Sequence, residues 1–271
     1  MAEDRPPWVI EASELIQDID DDNTVVIDVS RSHVYSRNHI PGAVHLDYTS
    51  IVASRTPVMG LLPDAEKLGQ ALGKVGITPD SYVVAYDDEG GGKASRLIWT
   101  LAAIGHSHCS LLNGGLRAWL NSGETDSQQA ETASVAAYPV IYQSDCVADM
   151  SYVLEHLNDP LVTIVDARSA DEYCGKDKRA RRGGHIPGAV NVEWSRTLDH
   201  HNSLRLKERD ELLSLYLPKD VVPDKEIITY CHSHRRSAHT FIVLKHLGYP
   251  CVRGYPGSWS DWGNSEQTPI E

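Results

Sequence analysis

The sequence predicts an α/β protein of two domains sharing one fold, each a mainly parallel five-stranded sheet flanked by helices. The first observation behind this is an internal repeat. TVVIDVSRSHVY…HIPGAVHLDY (24–48) returns as VTIVDARSADEY…GHIPGAVNVEW (162–194), and the hexapeptide HIPGAV is identical at 39–44 and 185–190. The second is that the parallel continues. YVVAYDDEGGGKASRLIWTLAAIGH (82–106) aligns with EIITYCHSHRRSAHTFIVLKHLGY (226–249), and NGGLRAW (113–119) with GYPGSWSDW (254–262). Two copies of about 120 residues make two domains rather than a solenoid, which needs more and shorter repeats. The third is that short apolar runs alternate with helical patterns in each copy, the mark of a parallel sheet covered on both faces.

In order, the first copy reads as helix 11–19, strand 24–29, short helix 32–35, strand 44–46, helix 64–74, strand 82–86, helix 93–104, strand 110–112 and helix 116–120. The second reads as helix 147–157, strand 163–166, short helix 170–173, strand 190–192, helix 207–216, strand 226–230, helix 237–247, strand 251–252 and a short helix from Ser258. HIPGAV reads as a structural corner: Pro sets φ, Gly permits a tight reversal, and Ala–Val enters the next strand. The polar stretch SGETDSQQAETASVA (122–136) lacks apolar periodicity and reads as a connection. The expected division is residues 1–121, a linker over 122–139, and residues 140–271.

The 271 residues are 41% hydrophobic and carry a formal net charge of −13. That balance argues against a nucleic-acid or anionic-membrane partner. Two basic segments, KDKRARR (176–182) and the residues 232–236, run against the trend. No apolar run reaches the length of a membrane span, and MAEDRPPWVI lacks a signal-peptide pattern, so a cytoplasmic protein is expected. The five scattered cysteines (109, 146, 174, 231, 251) form no C-x-x-C pair. The histidine pairs 106/108, 200/201 and 232/234 each lack a third ligand at metal-binding spacing, so no metal site is expected.

The chemistry concentrates at 226–247. The strand 226–230 ends at Cys231, and a helix begins near Ser237. The intervening turn can aim backbone N–H groups and the positive end of the helix at one point, which favours an anion. A cysteine there is expected to be a thiolate near neutral pH, a nucleophile set in an anion cradle. His232, Ser233, His234, Arg235 and Arg236 supply further donors and charge. The repeat offers an internal comparison: Asp87 falls opposite Cys231, and the first copy reads DDEGGGK where the second reads CHSHRRS. One copy is therefore expected to be chemically competent and the other silent.

These residues resemble the tandem-domain rhodanese family. The likeness covers nearly the whole chain. It rests on the duplicated D-x-[SR]…HIPGA signature (Asp28–Ser30 and Asp166–Arg168), the degenerate first loop, and the six-residue loop opened by Cys231. The resemblance implies a thiosulfate sulfurtransferase in which Cys231 carries a persulfide, sulfite leaves, and a thiophile such as cyanide accepts the sulfur. It implies a small-molecule donor and a thiophilic acceptor, sulfur-accepting proteins as further partners, and no cofactor beyond the covalent persulfide. His232 to Arg236 are then the donor-binding residues, joined by Arg182. The loop has neither the Arg-Lys-Gly of thiosulfate enzymes nor the Gly-Ser-Gly or Gly-Thr-Gly of mercaptopyruvate enzymes, and is more similar to a bacterial subgroup with a His- and Arg-containing loop. Glu172 stands where vertebrate-type members have an arginine, which passes donor recognition to Arg182 or the loop arginines. Trp194 has two readings, cleft wall or core aromatic, and Cys174 two, second thiol or surface residue. Asp166 and Arg168 read as a structural pair. Two other functions fit parts of the pattern. A persulfide carrier or binding module would use the same cysteine. A cysteine phosphatase or arsenate reductase would need five residues between Cys and Arg, and here there are four.

Overall fold

The computed structural model describes residues 5–133 and 137–271; residues 1–4 and the 134–136 part of the expected linker lie outside the described residues. In chain order the first half contains β1 (Val9–Ile10), α1 (Ala12–Asp18), β2 (Thr24–Asp28), α2 (Ser32–Tyr35), β3 (Val44–His45), β4 (Ala53–Arg55), β5 (Val58–Leu61), α3 (Ala65–Lys74), β6 (Tyr82–Tyr86), α4 (Gly92–Ala102), β7 (Cys109–Leu112) and α5 (Gly115–Asn121). The second contains α6 (Met150–Glu155), β8 (Val162–Asp166), α7 (Ala170–Tyr173), β9 (Val190–Asn191), β10 (Leu198–Asp199), β11 (Arg205–Leu206), α8 (Arg209–Tyr216), β12 (Glu226–Tyr230), α9 (Arg236–His246), β13 (Val252–Gly254) and α10 (Ser258–Trp262).

The chain forms two compact units. The first comprises Met1–Ile51, Pro63–Tyr142 and Leu198–Leu206, and the second Val52–Leu62, Gln143–Thr197 and Lys207–Glu271. Each is built on a parallel sheet, of order β1-β7-β6-β2-β3 in the first and β13-β12-β8-β9 in the second. The central strands TVVID, YVVAY, VTIVD and EIITY are apolar and largely buried, as strands covered on both faces must be. The second sheet has four strands, not the five expected. The counterpart of β1 is reduced to a single parallel bridge between Val147 and Gly254. That bridge also shortens the helix expected over 147–157. Val147 is spent on the sheet, and Asp149 caps the helix by accepting from Tyr152 N at 2.8 Å. Two antiparallel hairpins, β4–β5 and β10–β11, were not expected; their strands are too short and irregular to show alternation. The described part of the 122–139 segment is tied to the first unit. Ser127 bridges His39, and Tyr138 N donates to the Gly69 carbonyl at 2.9 Å. No described helix is long and apolar enough to cross a membrane.

HIPGAV is the same corner twice. Its histidine stacks on the tyrosine of the preceding short helix, His39 on Tyr35 at 4.0 Å and His185 on Tyr173 at 3.7 Å. The tyrosine hydroxyl donates to the Ala43 or Ala189 carbonyl, at 2.9 and 2.8 Å. The turn glycines have φ of +77° and +73°, a region that favours glycine.

The two units differ in the aspartate that ends β2 and β8. Asp166 is fully buried and paired with Arg168 at 2.6 Å, whose guanidinium also donates to the Gly184 carbonyl and lies over the Trp259 ring. In the first unit Ser30 replaces the arginine. Asp28 then accepts from Ser30 N, its Oδ2 has no described partner, and burial pushes its carboxyl above the usual range. Removing the arginine should give Asp166 the same character. Arg168→Ala is expected to lose about 3–5 kcal/mol at pH 7, because it strands a buried carboxylate. With its folded pKa raised, that penalty shrinks as pH falls through the raised pKa toward the unfolded value. Urea unfolding of wild type and variant at two pH values checks this.

Candidate active site

Cys231 follows β12, a central strand, and so lies beyond the carboxyl ends of a parallel sheet, where such folds bind ligands. Its backbone is held at both ends. Cys231 N donates to Ser258 Oγ at 3.2 Å, and its carbonyl accepts from Trp259 N at 2.9 Å. The residue is 1% exposed. Burial opposes ionisation of the thiol. The charge of Arg236, with hydrogen bonds from the Ser237 hydroxyl and from the backbone of Ser237 and Ser233, outweighs it and brings the pKa below the ordinary thiol value. Two other thiols show the contrast: burial drives the buried Cys109 and the half-buried Cys146 up to about 11.

Arg236 opens α9, and its guanidinium is bidentate to Glu172, at 2.5 and 2.8 Å. Glu172 is fully buried in a capping box with Ser169 and also lies 3.7 Å from Arg179. Burial would raise the Glu172 carboxyl, but the hydrogen bonds and charge of Arg236 hold it down to about 2. Burial would lower the Arg236 guanidinium, but the hydrogen bonds and charge of Glu172, with the Cys231 sulfur, raise it, so both groups stay charged.

The other expected site residues divide. His232 is half-buried, and burial lowers its imidazole pKa; its carbonyl accepts from Ser260 N at 3.0 Å. Ser233 gives the thiol a backbone donor. His234 is fully buried with φ +53°, and its Nδ1 meets Ser237 Oγ at 2.7 Å, so its ring supports the loop from within. Arg235 is the residue before α9 and is partly exposed. Arg182 was expected to bind the donor and is occupied elsewhere: its guanidinium holds the carbonyls of Trp262, Ser265 and Thr268, tying down the carboxy-terminal segment. Trp194 meets the His239 ring edge-on at 5.2 Å. Cys174 is exposed and donates to the Asp171 carbonyl. Sequence reasoning missed three contributors: Ser237, Ser258 and Glu172. Among the described residues no group of three His, Cys, Asp or Glu could hold a metal ion.

The first unit shows what the loop is shaped to hold. Asp87 sits at the Cys231 position, and its carboxylate accepts from the N–H groups of Glu89, Gly91, Lys93 and Ala94 at 2.8–3.1 Å. The cradle there is filled by the chain's own anion. By the repeat, the corresponding donors around Cys231 are Ser233, Arg235, Ser237 and Ala238. Of these, the backbones of Ser233 and Ser237 donate to the thiol; the two loops part at the next pair, where Gly91 has φ +89° and Arg235 φ −94°.

A cysteine whose pKa is drawn below the ordinary thiol value, at a strand-to-helix turn in one of two repeated parallel α/β units, defines a tandem-domain protein built around a sulfur nucleophile. The chain matches the family model of the Rhodanese-like domain over residues 11–122 and 149–265, and it belongs to the rhodanese family. It is 38% identical over 265 residues to the thiosulfate sulfurtransferase of Pseudomonas aeruginosa, covering 98% of this chain and 97% of that one. It is 32% identical over 279 residues to the sulfur carrier protein TtuD of Thermus thermophilus, covering 97% and 96%. The solved structure of the 3-mercaptopyruvate sulfotransferase SseA of Escherichia coli overlays with a TM-score of 0.84 at 28% identity, covering 94% of this chain and 99% of that one.

Proposed function

We propose that this protein is a thiosulfate sulfurtransferase working through a Cys231 persulfide. The observation that carries the reading is a thiol held below its ordinary pKa despite complete burial. It sits in a backbone frame whose counterpart encloses an anion. The thiolate attacks the outer sulfur of thiosulfate. A sulfur–sulfur bond forms to Sγ, the bond to the sulfonate sulfur breaks, and sulfite leaves with the electron pair. Cyanide or another thiophile then attacks the outer persulfide sulfur, and the thiolate is restored. The cradle N–H groups stabilise the negative charge on the terminal sulfur, and Arg236 offsets repulsion between thiolate and dianion. The cycle balances with the cysteine and two substrates alone, so no metal or organic cofactor is invoked.

A protein acceptor is the second reading, favoured by the likeness to a sulfur carrier protein. The carrier would load in the same way and discharge onto a protein thiol. Free thiols at Cys109, Cys174, Cys231 and Cys251 suit a reducing compartment, and we place the activity in the cytoplasm.

Intact mass before and after thiosulfate, then after cyanide, tests the proposal. The expected result is a gain of one sulfur atom that cyanide removes. No gain from fully reduced protein, together with Cys231-dependent hydrolysis of an aryl phosphate, overturns it in favour of a phosphatase. Full loading with very slow discharge to cyanide points to the carrier.

A further inference from the structure

The β4–β5 hairpin lies in the first half of the sequence but belongs to the second unit, against the catalytic loop. Two contacts place it there. Ser260 Oγ accepts from Met59 N at 2.8 Å, while Ser260 N donates to the His232 carbonyl at 3.0 Å, so α10 clasps hairpin and loop together. Gly60, with φ +74°, meets the loop backbone to backbone. A Cβ built on it would strike the Ser233 carbonyl oxygen, with the carbonyl carbon 2.6 Å and Cα 2.9 Å away. No other residue type fits between the hairpin and Ser233 as they stand.

The loop has reason to need such a support. In the first unit the position equivalent to His234 is Gly90, at φ +97°, where glycine carries no steric cost. The catalytic loop holds a histidine at this position at φ +53°, a conformation that L side chains rarely adopt. In a trans peptide C=O and N–H point opposite ways. A flip of the Ser233–His234 peptide would relieve the strain but swing the Ser233 oxygen away from the hairpin and into the loop. There its partial negative charge would oppose the thiolate.

We infer that Gly60 is a positioning residue for Cys231: it fixes the Ser233–His234 peptide against the hairpin and so keeps the loop in its anion-holding form. This rests on Cys231 being the nucleophile. Arg236, the charge that acts on the thiol, and Glu172, Arg179 and Arg168, which act with it on the neighbouring His232, are unaltered by a change at Gly60, so its effect is conformational.

The test uses the full chain. Gly60→Ala is compared with Gly42→Ala, which meets the same backbone cost (φ +77°) with no described atom within 4 Å of the added Cβ. Two quantities are read. One is the pH midpoint of Cys231 alkylation by iodoacetamide, resolved by peptide mass spectrometry from the other four cysteines. The other is the rate of sulfur loading from thiosulfate. Gly60→Ala should move the midpoint upward and slow loading about tenfold or more, since small displacements of a reacting group are costly. Gly42→Ala should leave both within about twofold. Ser260→Ala, which loosens the clasp without crowding Ser233, should move both in the same direction by less. Adding His234→Gly to Gly60→Ala should recover part of the loss. A wild-type midpoint in both Gly60→Ala and Ser260→Ala overturns the inference, as does an equal shift in Gly42→Ala. Because alkylation reports the thiolate alone, a Gly60 effect in a protein that never loads sulfur would sink the sulfurtransferase reading and keep this one.

Discussion

Cys231→Ser should abolish sulfur transfer, lowering the thiosulfate–cyanide rate at least about 10⁴-fold, to background. A serine hydroxyl stays protonated where the thiol ionises, so the cradle has no nucleophile to present. The fold should be nearly unchanged, with a stability shift within about 1 kcal/mol, because the residue's backbone bonds to Ser258 and Trp259 do not depend on the side chain. Steady-state assay, intact mass after thiosulfate and thermal unfolding check the three parts. Residual transfer above background, with the variant's mass confirmed, would remove Cys231 from the mechanism.

Arg236→Ala should have two effects of different pH dependence. Arg236 is the charge that brings the Cys231 thiol down, so its loss raises the thiol pKa. Loading from thiosulfate should fall about a hundredfold at neutral pH and recover partly as pH rises into the ordinary thiol range. The variant also strands the buried Glu172 carboxylate, which should cost about 3–5 kcal/mol at neutral pH. In the wild type Glu172 titrates at about 2, below its unfolded value. Its pairing therefore adds stability that is fully present above the ordinary carboxylate range and is lost as pH falls through about 2. The stability gap between wild type and Arg236→Ala should accordingly be widest near neutrality and close on acidification. A loading rate that falls equally at all pH values would mean that Arg236 acts on the donor alone and leaves the thiol unaffected. Arg236→Lys, which keeps charge without the bidentate fork, should lie between the two.

The Glu172–Arg236 pair also explains a departure seen in the sequence. An acid at position 172 looked like a lost anion-binding site. The structure shows a carboxylate that orients a cation supplied from α9. Sequence reading could not find this, because the partners are 64 residues apart and meet only when α7 and α9 pack in the second unit. The same holds for Arg182. Its place in a basic run suggested an anion site, but the carbonyls of Trp262, Ser265 and Thr268 claim it. A charge run states what a segment carries, and its neighbours decide what the charge is used for.

Short-range patterns were legible to within a few residues. The central strands, the short helices at 32–35 and 170–173, and the turn that carries Cys231 all follow from local apolar runs bounded by turn residues. So did the contrast between Asp87 and Cys231, because a repeat lets one copy serve as control for the other. The weaker features escaped. β4, β5, β10 and β11 are two to four residues long and have no periodicity to read. The missing fifth strand of the second sheet turns on a single bridging residue.

The sequence alone determined that there are two copies of one α/β unit, that only one carries a cysteine at the turn after its central strand, and that this thiol sits at the amino end of a helix. These are matters of residue type and spacing along the chain. Tertiary structure alone decided that the Asp87 carboxylate fills the first cradle, that Glu172 holds Arg236, and that Gly60 meets Ser233. Burial and short-range electrostatics act through distance in space, which spacing along the chain does not encode.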